Sequence, residues 1–359
     1  MKKRWFIMIG ICMVTAGCNE KESLYTIESD TGFMYARKQL EEERQDDYDA
    51  IYEGLMNMDD EIKVDYMEED ELVELYSAVM YDHPEIFWTE TFAYAQMDFM
   101  IFGSWSELYP HYLYTAEEAE TYTRQLKEKS EEILTDLPAG ASDYEKVKFV
   151  YDHIIDHTAY DTEAADNQNI LSVMLNETSV CAGYAKTMQY LLEYLKIPCS
   201  YQVGVTLKEQ NAHAWNMVLM DGEYYYIDVT HGDAAVDGVQ DGHKTYAFFG
   251  FTSDEMLELY DVHTAYEVTD AVKDNYYVKE NAYITDIDDT QLLEIMQYEE
   301  NLRQRKLSVK CDDEEMLQKL KAYMLDDNHI FVLLRQLGIE VHSVRYVEYP
   351  ALGVITFTY

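Results

Sequence analysis

The chain has 359 residues, with 70 Asp and Glu against 27 Lys and Arg, for a formal net charge of −43. Such a field repels phosphate backbones and bare anionic headgroups, which excludes nucleic acid and points to basic or neutral partners. Hydrophobic residues at 48% and aromatics at 14% exclude a largely disordered chain, and the length allows more than one domain.

The first residues address the compartment. Met1 to Arg4 is short and basic, Trp5 to Ala16 is almost wholly apolar, and Gly17-Cys18 precedes polar Asn19 to Glu22. That apolar run is too short to span a bilayer and fits an export signal. Its end, "VTAGC", resembles a bacterial lipobox, although Leu is commoner where Thr15 stands. The expectation is a signal peptide over 1–17, lipid on Cys18, and a protein held on the outer face of a bacterial membrane by that lipid alone. Of the five cysteines, Cys12 then leaves with the signal, so Cys181, Cys199 and Cys311 remain as thiols. An odd number leaves at least one without an intramolecular partner, and there is neither a disulfide scaffold nor a thiolate cluster for zinc.

Residues 18–60 are charged at first and read as a tether or loose helical start. From 61 an α+β accessory region begins. Ile62 to Val64 is strand-like, and Glu68 to Met80 has helical spacing at Leu72, Leu75, Tyr76 and Val79. Asp82-His-Pro84 stops that helix. Ile86 to Ile101 and Tyr109 to Tyr114 are strand material, with Gly103-Ser104 at the turn. Thr115 to Glu118 can cap a helix reaching Leu134, and Pro138-Ala-Gly140 ends the region. A core over 141–270 opens with a helix from Ser142-Asp143, passes through the Cys181 segment, and continues as strands from 199 to 229. The last piece, 271–359, is again α+β and closes in a hairpin around Pro350 to Gly353. "EIKVDYMEEDELVELYSAVMYDHPEIFW" (61–88) and "KLSVKCDDEEMLQKLKAYMLDDNHIFV" (306–332) share an order of short strand, acidic cap, amphipathic helix and Ile-Phe pair, which suggests a diverged repeat.

Cys181 in "SVCAGYAK" sits where a helix starts, because Tyr184, Met188, Leu191, Leu192 and Leu195 form an apolar stripe closed by Pro198. A first-turn thiol faces unsatisfied backbone N–H groups and the positive helix end, which favour thiolate and can also hold an oxyanion. Alone, this segment is more often the pattern of a core cysteine than of a nucleophile. The text "NAHAWNMVLMDGEYYYIDVT" (211–230) adds a hairpin across Asp221-Gly222. With a two- or four-residue loop, Trp215 opposes Asp228 and His213 lies diagonal to Asp228 on the same face. A three-residue loop would break that register. The hairpin thus offers an imidazole with a carboxylate beside it, the pair that a thiol nucleophile needs.

These stretches, with "YDHIIDHTAYD" before the cysteine and "YAFFGFTSDEML" after the aspartate, resemble the transglutaminase-like superfamily, especially its bacterial, often lipid-anchored members. The resemblance covers about 142–260. It implies a papain-like α+β core in which a helix bearing the nucleophile packs on an antiparallel sheet. It also implies a triad of Cys181 as nucleophile, His213 as base and then acid, and Asp228 as the orienting carboxylate. Gln168 stands where related proteins carry a polar residue ahead of the cysteine and is a candidate oxyanion helper. His231 replaces the Trp common after "DVT", and the expectation is an altered groove wall with the triad untouched. The calcium-binding regions and β-sandwiches of the large animal crosslinking enzymes have no counterpart in the sequence, and no cofactor is expected.

Other constellations carry less. His153 and His157 are four apart on a helix near acidic residues, but the matching segment is a packing helix. Asp286 to Asp289 lacks the glycine and closing glutamate of a calcium loop. The expected chemistry is acyl transfer through a thioester from a peptide or protein amide, with the cell wall and secreted proteins as the nearby sources. Hydrolysis is favoured over amine transfer to glutamine because water is abundant outside the cell. A surface binding or scaffold module with a silent triad is the alternative from a different class.

Overall fold

The protein, described as a computed structural model, is defined over residues 33–99, 103–233 and 244–359. The expected signal and the lipid site at Cys18 lie outside the described residues. Three units follow one another along the chain, each built from helices on a sheet that is antiparallel apart from one parallel edge pair in the third.

In the first, the segment read as a loose start is a packed helix, Glu42–Asn57. Its Tyr48, Ile51 and Leu55 recur at helical spacing and are fully buried, so this stretch is anchored by its own apolar stripe. Strands β1 (Ile62–Asp65), β2 (Thr89–Phe99) and β3 (Gly103–Tyr112) form a sheet in the order β1-β3-β2. The helix Glu69–Asp82 joins β1 to β2. Two capping boxes, Thr115 with Glu118 and Ser142 with Glu145, start the helices Ala116–Leu134 and Asp143–His157.

The middle unit holds the expected site. Two-residue strands β4 (Ala159–Tyr160) and β5 (Thr178–Ser179) pair in parallel and pin the chain just ahead of Cys181. The helix Cys181–Tyr194 follows, and its Tyr184, Met188, Leu191 and Leu192 are wholly buried. This helix packs on the sheet formed by β6 (Cys199–Thr206), β7 (Ala212–Met220), β8 (Glu223–Ile227), β9 (Phe249–Phe251) and β10 (Tyr260–Val262), in the order β10-β6-β7-β8-β9. Asn216 on β7 donates from Nδ2 to the Ala185 carbonyl at 2.9 Å and ties helix to sheet.

The β7–β8 turn is the two-residue form. Met220 opposes Glu223, and Asp221 and Gly222 both have positive φ, 47° and 89°, the signature of a type I′ turn. The ladder runs to Asn216 opposite Ile227, so Asp228 lies one residue beyond it, within hydrogen-bond reach of His213 on β7.

In the third unit, β11 (Tyr283–Ile284), β12 (Lys306–Cys311), β13 (Arg345–Tyr349) and β14 (Val354–Thr358) form a sheet in the order β11-β12-β14-β13. Its β12-β14-β13 part has the same order and antiparallel sense as β1-β3-β2, with two helices, Glu314–Leu325 and His329–Gln336, where the first unit has one between strand and hairpin. The shared Ile-Phe pair is not equivalent: Ile86-Phe87 precedes a strand, whereas Ile330-Phe331 lies in the helix His329–Gln336. Lys310 joins this unit to the core through Glu255; inside the unit it bonds the Leu352 carbonyl, and Tyr277 bonds Ser308.

Gly204 faces His213 across β6 and β7, and β10 passes closely over it. A Cβ there would meet the Asp261 carbonyl oxygen at 2.1 Å and the Trp215 ring at 2.9 Å. Gly204→Ala is expected to destabilise the protein by on the order of 1–3 kcal/mol, because backbone and a buried indole must move. Chemical denaturation of the two proteins side by side checks this, and equal midpoints would refute it.

Candidate active site

Cys181 opens its helix without a side-chain cap, since Val180 at the N-cap position cannot provide one. The first-turn N–H groups are therefore open to a negative oxygen. The position of the thiol is fixed from behind. Asp161 N–H donates to the Ser179 carbonyl at 2.9 Å, and the Ser172 and Ser179 hydroxyls bond each other at 2.6 Å. Cys181 remains partly exposed, unlike buried Cys199 and Cys311.

The structure brings His213 and Asp228 together. His213 Nε2 lies 2.6 Å from Asp228 Oδ2, and the carboxylate has no solvent exposure. Burial alone would push this carboxyl up. The charges of His213 and His231 and their hydrogen bonds outweigh it and hold Asp228 well below the usual carboxylate range. An ionised carboxylate only accepts, so Nε2 must carry a proton and Nδ1 is left as the nitrogen for the thiol. Burial pulls the His213 imidazole down, but the Asp228 charge and hydrogen bond, joined by a hydrogen bond and charge from Cys181, push it up to about 10. Cys181 and Asp228 thus act on the same imidazole, and Asp228 holds it by a hydrogen bond of 2.6 Å.

His231 is not a groove-wall substitution, which corrects the expectation from sequence. Asp228 follows β8 and caps the short helix Val229–Gly232, accepting the His231 backbone N–H on Oδ1 at 3.0 Å. One helical turn carries the His231 ring back over its own cap, and Nδ1 reaches Asp228 Oδ2 at 2.7 Å. Tyr260, from β10, donates to the same oxygen at 2.6 Å. Its ring stacks on Trp215 with centroids 4.3 Å apart. Sequence reading missed Tyr260. The only signal was its place in the segment resembling the family, and its partner is 32 residues away.

His213, Asp228 and His231 present ligand atoms within 4.8 Å of one another. Their separations of 2.6 and 2.7 Å are those of direct hydrogen bonds, and an ion would have to break both inside a site with no exposure at the carboxylate. The donor set therefore fits an imidazole–carboxylate network and not a metal.

Gln168 is not joined to these residues. It is exposed, and its amide nitrogen donates to the neighbouring Asn167 Oδ1 at 2.9 Å. The chain instead turns inward at Asn169, which caps the helix Ile170–Met174 and is buried. His153 and His157 stack with centroids 4.2 Å apart, and burial, followed by the His157 charge, pulls His153 down to about 4.

Of the three thiols, burial raises Cys199 well above the ordinary thiol value and pushes Cys311 up to about 12. Alkylation of the folded protein near neutral pH should therefore mark Cys181 and spare the other two, as read by peptide mass mapping; labelling of Cys199 at a similar rate would contradict the geometry. A second expectation concerns stability. His213 is raised above its unfolded value near 6.5, so its contribution is whole below that pH and declines as pH rises toward about 10. Between about pH 7 and 9, His213→Gln should flatten this part of the pH dependence of unfolding, and an unchanged slope would count against the paired imidazolium.

Residues 133–229 match the model of the transglutaminase-like superfamily. The chain is 28% identical over 160 residues to the kyphoscoliosis peptidase of Mus musculus, covering 40% of this chain and 23% of that protein. It is 26% identical over 141 residues to the Homo sapiens kyphoscoliosis peptidase, covering 34% and 21% respectively. The match thus spans less than a quarter of the length of these relatives. A solved TGase structure is similar over 47% of this chain and 50% of its own, at 17% identity and a TM-score of 0.29.

Proposed function

The chain carries a domain of the transglutaminase-like superfamily, and on that premise we propose that it is a cysteine acyl-transfer enzyme that hydrolyses peptide amides through a thioester. The observation that carries this reading is the line from Cys181 through His213 to the buried Asp228. A buried carboxylate and a partly exposed thiol on either side of one imidazole is the arrangement that turns a thiol into a nucleophile.

The steps follow from it. Cys181 Sγ, having given its proton to His213 Nδ1, attacks the amide carbon, and the carbonyl oxygen takes up the electron pair. The uncapped first turn of the Cys181 helix faces that developing charge. As the pair returns, the C–N bond breaks and His213 passes its proton to the leaving amine, giving a thioester. His213 then takes a proton from water, whose oxygen attacks the thioester carbon. The C–S bond breaks, the acid leaves, and the proton returns to sulfur. Asp228 keeps the imidazole oriented and stabilises its charged form without taking the proton.

Hydrolysis is preferred to amine transfer because we place the protein outside the cell, held at the outer face of a bacterial membrane by lipid on Cys18, where water is the abundant acceptor. The basic start, the apolar run and "VTAGC" support this placement. Among the described residues no helix is long and apolar enough to cross a membrane. Mass analysis of the protein from a bacterial membrane fraction should find a diacylated or triacylated Cys18; an unmodified Cys18 would remove the anchor.

The test of the chemistry is incubation with peptide mixtures, with and without an added primary amine, read by mass spectrometry. Products that gain water support hydrolysis, and products joined to the amine make the protein a transferase instead. Cys181→Ala should abolish both. Asp228→Asn should keep the shape of the site but remove the charge that favours imidazolium. We expect kcat/KM to fall on the order of tenfold to several thousandfold, less than for Cys181→Ala. A folded Asp228→Asn protein with unchanged kcat/KM would overturn the role given to Asp228.

A further inference from the structure

The Asp228 carboxylate has more donors than one oxygen can serve fully. Oδ2 receives His213 Nε2 at 2.6 Å, His231 Nδ1 at 2.7 Å and the Tyr260 hydroxyl at 2.6 Å. A carboxylate oxygen offers two lone-pair directions, so three donors at these distances must share them. The two imidazole rings lie close, with centroids 4.5 Å apart, and His231 Nδ1 is also 3.0 Å from the Tyr260 oxygen. Because Asp228 only accepts, His231 Nδ1 must carry a proton here, which fixes this second imidazole as a donor in either of its charge states.

We infer that His231 and Tyr260 are positioning residues that draw part of the Asp228 charge away from His213 and so hold down the proton affinity of the base. This rests on the acyl-transfer reading and adds what tunes it. The reaction asks two opposed things of His213. It must be charged beside the thiolate, and it must then give that proton to the leaving amine. An imidazolium facing an undivided buried carboxylate would hold its proton too tightly for the second task. Sharing the carboxylate among three donors weakens the grip while keeping the ring in place.

The remaining groups around the cluster do not supply this effect. Cys181, on its helix, raises His213 by its charge and hydrogen bond. Tyr151, from the Asp143–His157 helix, is buried near Asp228 but gives its hydroxyl proton to the Thr245 carbonyl at 2.6 Å. Tyr160 on β4 feels the charges of Cys181 and Asp228, and Glu209 on the β6–β7 connection feels that of His231. Within hydrogen-bond reach of Oδ2, His231 and Tyr260 are the two groups besides His213 among the described residues.

The experiment is the rate of Cys181 alkylation by iodoacetamide against pH, on the full folded protein, with mass mapping of the modified site and unfolding followed in parallel. The wild type should show two inflections, the upper belonging to the thiolate–imidazolium pair as a unit. His231→Phe keeps a ring against Phe248, whose centroid is 5.1 Å from that of His231, and removes the donor. It should move the upper inflection upward by about one to two pH units, the size expected from one hydrogen bond to a charged group. His231→Asn puts an amide nitrogen close to the place of Nδ1 and should bring the inflection back toward the wild-type position. Tyr260→Phe keeps the stack on Trp215 and should shift the inflection in the same upward direction, and it carries the test if His231→Phe does not fold. A His231→Phe profile that is unchanged or shifted downward, or an Asn variant displaced as far as the Phe variant, would overturn the inference. A wild-type Cys181 that titrates as an ordinary free thiol is a different result: it would end the acyl-transfer reading itself before any variant is made.

Discussion

A carboxylate with no solvent exposure is the constraint around which the middle unit is arranged. Desolvating an isolated carboxylate costs several kcal/mol even after relaxation, and only charge pairing and hydrogen bonds offset it. Asp228 meets that demand with two imidazoles, a phenol and a backbone N–H. Each partner comes from a different piece of local structure: β7, the turn after β8, and β10. The sheet order that sets β10 beside β6, and the helix that Asp228 itself caps, are therefore conditions for the charge to be buried at all. Remove the charge and these elements lose their reason to converge; remove the elements and the charge cannot stay buried.

How much of this could be read in the sequence depended on the range of the interaction. Local rules were legible. Thr115 with Glu118 and Ser142 with Glu145 cap helices as their spacing predicts, and Asp221-Gly222 makes the two-residue turn on which the His213–Asp228 register rests. Two strands joined by a tight turn have little freedom, so counting residues sufficed. His231 was misjudged because Asp228 was treated as the end of a strand. It is also the cap of a four-residue helix, and a helical turn folds position 231 back on position 228. Tyr260 was out of reach because no residue count across β9 and its flanking loops says which edge of the sheet the next strand will join. Gln168 was placed by family likeness alone, and its exposed side chain has no bond to the triad residues.

The flanking units show the same division between pattern and path. Their likeness in sequence pointed to a shared order of strands, and β1-β3-β2 and β12-β14-β13 do have one. Yet the most similar short text, the Ile-Phe pair, occupies a loop in one and a helix in the other. An apolar pair serves a core from either backbone state, so it reports burial more faithfully than conformation. Both flanks also hold the core by polar ties, Gln189 to the Tyr81 carbonyl on one side and Lys310 to Glu255 on the other.

The position of β10 has a temporal consequence. Strands β6 to β9 follow one another as neighbours, but the chain then returns to the far edge of the sheet before it supplies Tyr260. A contact between residues 228 and 260 must wait until that return is complete, and closing such a path is slower than zipping a hairpin. While the chain emerges in order, thiol, imidazole and carboxylate all exist before the last donor arrives. The carboxylate cannot be fully desolvated until then, so its burial is tied to the most distant strand pairing of the sheet. The sheet edge acts as a clock, and the site matures when its final strand is laid down.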